Sequence, residues 1–255
     1  MTVAAITVVG FFVWFVGLVP NIRFRAVAYT LPIPMTTMLL AGRVAVSADH
    51  VYGVVLLVLF FYVVACLARW PAVNRVGRSL IAGVLYVLVS AALIKLPDPQ
   101  FWFAAAAYIV FWAFLHVMIS KCLPDMANDA VDRSKVVSYG LRGQIWRAIL
   151  IALSCVVVYL CAPLMGGFVV TFPFAGVLVA TELEPADTFE FAENFRFTSI
   201  ALLAFFCAIF AAQSHALSFG VTVLVGWGGF ALTLVAFLGG RYILSGGTRI
   251  VLRRE

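Results

Sequence analysis

Three ionisable side chains lie in or beside long apolar stretches, where a charge is costly and is therefore a candidate for function. Arg43 follows the run LLAG, His116 lies within FWAFLHVM, and Glu182 follows GVLVAT. Arg43 can bind an anionic solute or extend to the membrane interface. Glu182 can carry a proton or a cation, or simply reach water. His116 can relay protons near neutral pH or act as a hydrogen-bonded packing residue.

A short motif occurs twice, as TLPI at residues 30–33 and as TFPF at residues 171–174. Each copy lies near the start of a short apolar helix candidate, within residues 27–44 and 168–184. Pro32 and Pro173 each lack a backbone donor, so a carbonyl in the preceding turn must find another partner inside the protein. The hydroxyls of Thr30, Thr37 and Thr171 can bond such carbonyls or contact a polar solute. Pro-interrupted helices in matching places of two halves point to a transport site, although Pro is also common in ordinary membrane helices.

No catalytic or metal-binding pattern is present in the sequence. GxSxG, HExxH, a Walker loop and GxGxxG are all absent. The five cysteines form no CxxC pair, and no spacing of histidine and cysteine suits a metal ion. We therefore expect no enzymatic activity, no catalytic residue, no metal and no cofactor.

The composition is that of a membrane protein with several spans. Of 255 residues, 65% are hydrophobic and only 11% are charged, whereas soluble domains have roughly 45–50% apolar and about 25% charged residues. The formal net charge of +6 fits basic loops that face the cytoplasm. Because the basic residues do not cluster with exposed aromatic residues, we expect no binding of nucleic acid.

Apolar runs that can cross the hydrocarbon of a bilayer, which takes about 20 residues, are predicted nine times. They cover residues 3–20, 27–46, 51–69, 78–97, 101–120, 145–163, 166–183, 198–215 and 217–239. Threaded in this way, fifteen of the seventeen Lys and Arg residues fall on one side, and only Arg43 and Lys95 fall on the other. The N-terminus is therefore predicted to be periplasmic and the C-terminus cytoplasmic, in a bacterial inner membrane.

The predicted fold is an all-α polytopic bundle in which one helix separates two four-helix units. Residues 1–98 form the first unit, residues 99–143 the linker helix with a cytoplasmic loop, and residues 144–255 the second unit with a cytoplasmic tail. Because each unit has an even number of helices, one extra membrane crossing between them gives the second unit the opposite orientation in the membrane. The expected architecture is thus four plus one plus four, an inverted repeat about an axis in the membrane plane, as in many secondary transporters.

Each half contains one copy of the motif, and through that motif it resembles the GlpM-type family of small bacterial inner-membrane proteins. Members of that family have about four spans and are associated with glycerol metabolism and alginate production. They carry a Leu/Phe-Pro motif at the start of the second span, followed by an apolar run with a polar residue near its end. The resemblance covers residues 15–70 and 160–212, and the chain departs from the family by its fusion through the fifth span. A fused inverted pair implies that the short relatives can assemble as antiparallel dimers.

Two polar segments interrupt the apolar pattern. Residues 122–144 are expected to form a solvated loop between helices, or a regulatory or partner surface. Residues 182–196, ELEPADTFEFAENFR, are expected to form an interfacial loop or short helix, or a vestibule for a cation or a basic solute.

Two functions are compatible with these patterns. The first is a secondary transporter or exporter of a small polar or anionic solute or an envelope precursor. Its substrate site would comprise residues of the two motif helices, namely Thr30, Pro32, Thr37, Arg43, Thr171, Pro173 and Glu182, with His116 as a proton relay. The alternative is a non-transporting membrane component of an envelope polysaccharide or lipid pathway. The expected partners are the lipid bilayer and a small-molecule solute, and assembly into an oligomer is compatible with both functions.

Overall fold

The structure, a computed structural model, describes residues 3–19, 21–97, 99–122, 164–215 and 217–251. Between residues 143 and 160 it describes only residues 143, 145–146, 148–149, 151–153, 156 and 160, all of them helical. Every regular element within these ranges is a helix, so the all-α prediction is confirmed for the described part of the chain. The predicted loop 122–144 lies almost wholly outside the described residues, and so does much of the predicted span 145–163.

The helices of the described ranges vary widely in length. They are α1 (Val3–Gly17), α2 (Ile22–Thr30), α3 (Ile33–Gly42), α4 (Ala48–Leu67), α5 (Arg75–Leu93), α6 (Phe101–Cys122), α7 (Phe174–Glu182), α8 (Pro185–Gln213) and α9 (Phe219–Val251). A 3-10 helix, Gly166–Thr171, precedes α7. The predicted spans 27–46 and 166–183 are therefore not continuous helices, because each is broken at its Pro motif.

Five helices of the described residues are long and apolar enough to cross a membrane. They are α4, α5, residues 101–119 of α6, residues 187–213 of α8 and residues 219–240 of α9. A shorter apolar helix covers Thr7–Leu18. These helices make the chain a membrane-embedded protein, while the expected count of nine spans and the orientation of the termini stay predictions.

Two of the long helices form the centre of the bundle. The apolar windows of α4 and α8 are both 61% buried inside the protein, against 28% for α5 and α6 and 22% for α9. Large apolar side chains on the outer helices, such as Leu88, Phe103 and Leu232, are exposed. A helix that is apolar all round but exposed on one side is typical of a membrane span, with lipid covering that side.

Local sequence explains where several of these helices begin. The side chain of Asn21 accepts hydrogen bonds from Arg23 N and Phe24 N at the start of α2, and Asn74 accepts one from Gly77 N at the start of α5. A capping box joins Ser47 and His50 at the start of α4. These side chains occupy backbone donors that the first turn of a helix leaves without partners.

The acidic segment 182–196 differs from its prediction, because all but its first three residues belong to α8. Pro185 stands in the first turn and Asp187 follows it, and both residues favour a helix start. Arg196 consequently lies inside a membrane-length helix and is only 1% exposed. Arg25 and Arg78 are buried as well. The prediction of orientation treats these three arginines as loop charges, whereas the structure buries their side chains within the bundle.

The two motif regions exchange packing partners. Helix α2, which leads into the first motif, packs against α8, which follows the second motif. The 3-10 helix, which leads into the second motif, packs against α4, which follows the first. Helix α5 packs against α7, and α9 contacts α3. Each motif is thus enclosed in part by the helices that follow the other one.

Candidate functional site

Both copies of the motif form the same kind of helix break. Helix α2 ends at Thr30 and the 3-10 helix ends at Thr171. The next residue is extended in both copies, with ψ of 125° at Leu31 and 136° at Phe172. Pro32 and Pro173 then stand before the first residue of α3 and of α7, with φ of −76° and −74°. The sequence likeness of the two motifs therefore extends to their backbone.

The threonine hydroxyls bond carbonyls one residue before those that the prolines leave without their usual donor, and Leu31 N and Phe172 N occupy the latter, Ala28 O and Val169 O. Thr30 Oγ1 donates to Val27 O at 2.7 Å, and Thr171 Oγ1 donates to Phe168 O at 3.1 Å. The two hydroxyls are thus used within their own helical turns, as expected where a break lies in an apolar environment. Thr37 Oγ1 likewise donates to Ile33 O, at 2.8 Å.

Both breaks line one small cavity of about 20 Å³, which is room for about one water molecule. Leu31, Pro34 and Met35 line it from the first break, and Val170, Phe172 and Phe174 line it from the second. Tyr29 is the lining residue that carries a polar side chain. Of the predicted substrate-binding residues, Thr30, Pro32, Thr171 and Pro173 lie directly beside these lining residues in sequence, but none is among them.

Side chains from other helices hold the second break in place. The Tyr86 hydroxyl lies 2.9 Å from Thr171 Oγ1 and 3.1 Å from Phe168 O. Ser79 Oγ donates to Val177 O at 2.9 Å, which joins α5 to α7. Gly53 of α4 lies so close to Thr171 that a Cβ atom at this glycine would overlap the threonine side chain. The second break is therefore closely enclosed by α4 and α5.

Tyr29 links the first break to the second half-helix. Its hydroxyl lies within hydrogen-bonding reach of the backbone of Gly176, in the first turn of α7. Its ring packs edge-on against Phe61 of α4 and Phe195 of α8, with centroid distances of 5.1 and 5.3 Å. This single side chain therefore touches the cavity, both central helices and the opposite motif.

The two charged residues of the predicted site lie at the far ends of the half-helices. Arg43 is exposed at the end of α3 and adopts a left-handed backbone conformation with φ of 45°. Glu182 is buried at the end of α7, where its carboxylate lies 3.6 Å from Arg25 Nη1. Arg25 also donates to Val19 O and Gly17 O at the end of α1. Glu182 is therefore part of a buried ion pair that joins α7 to α2, and it does not extend freely into water.

His116 belongs to a separate polar cluster, away from the residues that line the cavity. Its Nδ1 atom lies 3.3 Å from Nη2 of the buried Arg196. Arg196 donates to Glu193 Oε2 at 2.9 Å, and Glu193 Oε1 accepts a short hydrogen bond from the Tyr62 hydroxyl. Four polar side chains from α4, α6 and α8 thus meet inside the bundle.

Sequence reasoning missed the residues that give these sites their polar contacts. Arg25 and Arg196 were treated as loop charges, and Glu193 as part of an acidic loop. The signal that could have found the α8 residues is their spacing, because Glu190, Glu193 and Arg196 recur every three residues and so share one helix face. Comparison with family models, with curated proteins and with solved structures finds no match to this chain.

Proposed function

We propose that this membrane protein is a secondary transporter or exporter whose solute passes between the two helix breaks. One observation carries the proposal: the same Thr-X-Pro break occurs twice, and residues of both breaks line one cavity, together with Phe12 of α1 and Leu57 of α4. Paired discontinuous helices are the usual construction of solute sites in secondary transporters, because a break supplies backbone groups and a point of movement at membrane depth.

The packing also supports a two-fold repeat as the basis of this function, and the predicted inversion remains the orientation expected from the helix count. The helix that leads into each break packs on the long helix that follows the other break. Such a reciprocal exchange is what a two-fold axis between two similar units produces. Under this proposal, the four-plus-one-plus-four arrangement places the two half-helices α3 and α7 on either side of the solute pathway.

The cavity lining narrows the class of solute. The residues that line it are apolar apart from the Tyr29 hydroxyl, and neither Arg43 nor Glu182 is among them. Burial of an unpaired ion in such surroundings is unfavourable. Among the expected cargoes, a small uncharged polar solute or a precursor with an apolar part is therefore favoured over a free anion. Because the cavity has room for about one water molecule, the two breaks must separate to admit such a solute.

A flux assay tests the transport proposal. The purified full chain is reconstituted into liposomes, and uptake of glycerol and of inorganic phosphate is compared with protein-free liposomes. We expect uptake of glycerol above that of phosphate, and we expect Pro32→Ala and Pro173→Ala each to lose most of it. Pro97→Ala is the matched control, because Pro97 is exposed and lies outside the breaks. Equal uptake by all three variants would remove the breaks from the mechanism.

A labelling experiment tests the opening of the cavity without knowledge of the solute. In a background without the five native cysteines, Ala175→Cys places a thiol in the cavity wall. Leu202→Cys is the control, because Leu202 is equally buried in α8 but does not line the cavity. We expect a water-soluble thiol reagent to modify the residue introduced at position 175 much faster. Equal rates would mean that the cavity does not open to water.

A further inference from the structure

A buried polar cluster connects three of the long helices. It comprises Tyr62 of α4, His116 of α6, and Glu193 and Arg196 of α8. The Tyr62 hydroxyl donates to Glu193 Oε1, while Arg196 donates to Oε2 from Nη2 at 2.9 Å and to Oε1 from Nε at 3.4 Å. Both carboxylate oxygens of Glu193 are thus occupied, as expected for an ionised carboxylate inside a helical bundle.

Arg196 has further contacts that do not depend on Glu193. Its Nη2 atom lies 3.3 Å from His116 Nδ1, and its guanidinium carbon lies 4.3 Å from the Phe197 ring and 5.4 Å from the Trp112 ring. Because a guanidinium only donates, a hydrogen bond between these two atoms requires the imidazole tautomer in which Nδ1 accepts. Aromatic rings and a neutral imidazole can retain the arginine when its carboxylate partner changes charge.

Exposure differs between the two members of the ion pair. The side chain of Glu193 is 22% exposed, whereas that of Arg196 is 1% exposed. The carboxylate is therefore the more accessible member of the pair, while the guanidinium is enclosed. The Nη1 atom of Arg196 is buried and has no hydrogen-bond partner among the described residues.

The other elements packed against α8 add few charges near Glu193. From α2, Arg23 pairs with Glu190 at 2.8 Å, one turn before Glu193. From α4 the facing titratable group is Tyr62, and from α6 it is His116. Residues 219–240 of α9 contain no charged residue. Within the described side chains, Arg196 is therefore the cation that balances Glu193.

We propose that Glu193 is a proton-binding site, at which protonation releases Arg196 from its carboxylate partner. A proton from water is added to Oε2, the charge-assisted bond from Arg196 Nη2 to this oxygen breaks, and the net charge of the cluster rises by one. Arg196 then keeps His116, Trp112 and Phe197 as neighbours. The purpose of this site, coupling of a proton to solute movement, rests on the transport function proposed above, whereas the binding of a proton does not.

The helix that carries Glu193 also reaches the cavity, but on a different face. Phe191 and Phe195 of α8 pack against Tyr29, with centroid distances of 6.0 and 5.3 Å, and Tyr29 lines the cavity between the two breaks. Residues two apart do not share a helix face, so Glu193 does not point toward these rings. Under the proposal, a change at Glu193 reaches the cavity through movement of α8 itself.

Infrared difference spectroscopy of the reconstituted full chain tests the proposal. Spectra recorded in acidic and in neutral buffer contain a carbonyl band for each carboxyl group that gains a proton. We expect Glu193→Gln to lose one such band and the control Glu184→Gln, at an exposed position, to retain it. Retention of every band in Glu193→Gln would overturn the assignment.

A second variant keeps the test informative if Glu193→Gln does not fold. Tyr62→Phe preserves the carboxylate and removes only its hydroxyl partner, so the Glu193 band should persist and move to higher frequency. An unmoved band would contradict the proposal. Because these spectra require no solute, a Glu193 band in a protein without flux would leave the proton site standing and reject transport. Flux without this band would reject the proton site alone.

Discussion

The two half-helices that follow the breaks differ sharply in how they are held. Helix α7 is buried along nearly its whole length and is joined to its neighbours by Tyr29, by Ser79 and by the Arg25–Glu182 pair. In α3, by contrast, the buried residues are only Met35, Met38 and Leu39. Among the described residues, its side-chain hydrogen bond to another helix is the one that Trp227 Nε1 donates to Thr36 Oγ1, at 3.0 Å.

This contrast identifies the half-helix that can move. Two segments with the same backbone break have different surroundings, so the break itself does not determine mobility. Displacement of α7 would disrupt several buried polar contacts, whereas displacement of α3 disrupts one hydrogen bond and leaves an exposed end at Arg43. We therefore expect α7 to be the fixed wall of the cavity and α3 the moving one.

The largest expected effect is a loss of stability on substitution of a charged residue at the end of one half-helix. Glu182→Gln removes the carboxylate that pairs with the buried Arg25, and loss of one partner from such a pair costs about 3–5 kcal/mol. The corresponding change at the exposed end of α3, Arg43→Gln, should stay within about 0.5 kcal/mol. Thermal unfolding of the detergent-solubilised protein measures both. Equal melting temperatures for the two variants would show that α7 is held no more firmly than α3.

The next effect concerns the close approach of α4 to the second break. Gly53→Ala introduces a Cβ atom into space that Thr171 occupies, so we expect a cost of about 1–3 kcal/mol. Gly83→Ala on α5 is the matched control, because nothing lies within 4 Å of a Cβ atom there. That substitution should be neutral or stabilising, since alanine has the better helix propensity. A Gly53→Ala protein as stable as wild type would mean that the second break is not closely enclosed.

A smaller expected effect is the difference between Thr171 and Thr30 in their energetic coupling to Tyr86. A double-mutant cycle of Thr171→Val with Tyr86→Phe should give a coupling energy of about 0.6 kcal/mol, with about 1.7 as an upper bound. The same cycle with Thr30→Val should be additive within about 0.5 kcal/mol, because the Thr30 hydroxyl bonds Val27 in its own helix. Chemical denaturation in mixed micelles measures these terms. Similar coupling in both cycles would contradict the stronger hold on the second break.

A fourth effect, similar in size to the third, is on the mobility of α3. Trp227→Phe removes one hydrogen bond to Thr36, which is worth about 1 kcal/mol. Amide exchange, followed by mass spectrometry, should be faster in α3 than in α7 in the wild type, and faster still in α3 of the variant. The exchange of α7 should not change. An equal acceleration in both half-helices would argue that they move together.

Much of the fold follows from apolar run length alone. Helices α4, α5, α6 and α9 begin within a few residues of their predicted spans, because an uninterrupted apolar run of that length has few other structures available in lipid. The duplicated motif was also visible, since a proline beside a threonine is a local signal. Helix α8 was predicted too short because its first half carries charges at Glu190, Glu193 and Arg196. Run length cannot distinguish a charged loop from a charged helix face that other helices cover.

The polar contacts of the site could not be predicted in the same way. The sequence singles out Glu182 and His116 as unusual, but their partners Arg25 and Arg196 lie far away in sequence. Only the packing of α2 against α8 and of α6 beside it brings such residues together. The apolar lining of the cavity comes from the neighbours of the motif residues, because the threonine hydroxyls are turned back onto their own helices.

The exchange of partners between the two breaks has a consequence for biosynthesis. Helix α8, which covers α2, begins about 150 residues after the first break. At the usual rate of translation, 5–20 residues per second, α8 is synthesised roughly 10–30 s after the first break. During that interval its bent backbone stands beside lipid or the insertion machinery. A ribosome stalled just after α6 should therefore hold a nascent chain that is inserted but still open to protease at the first proline.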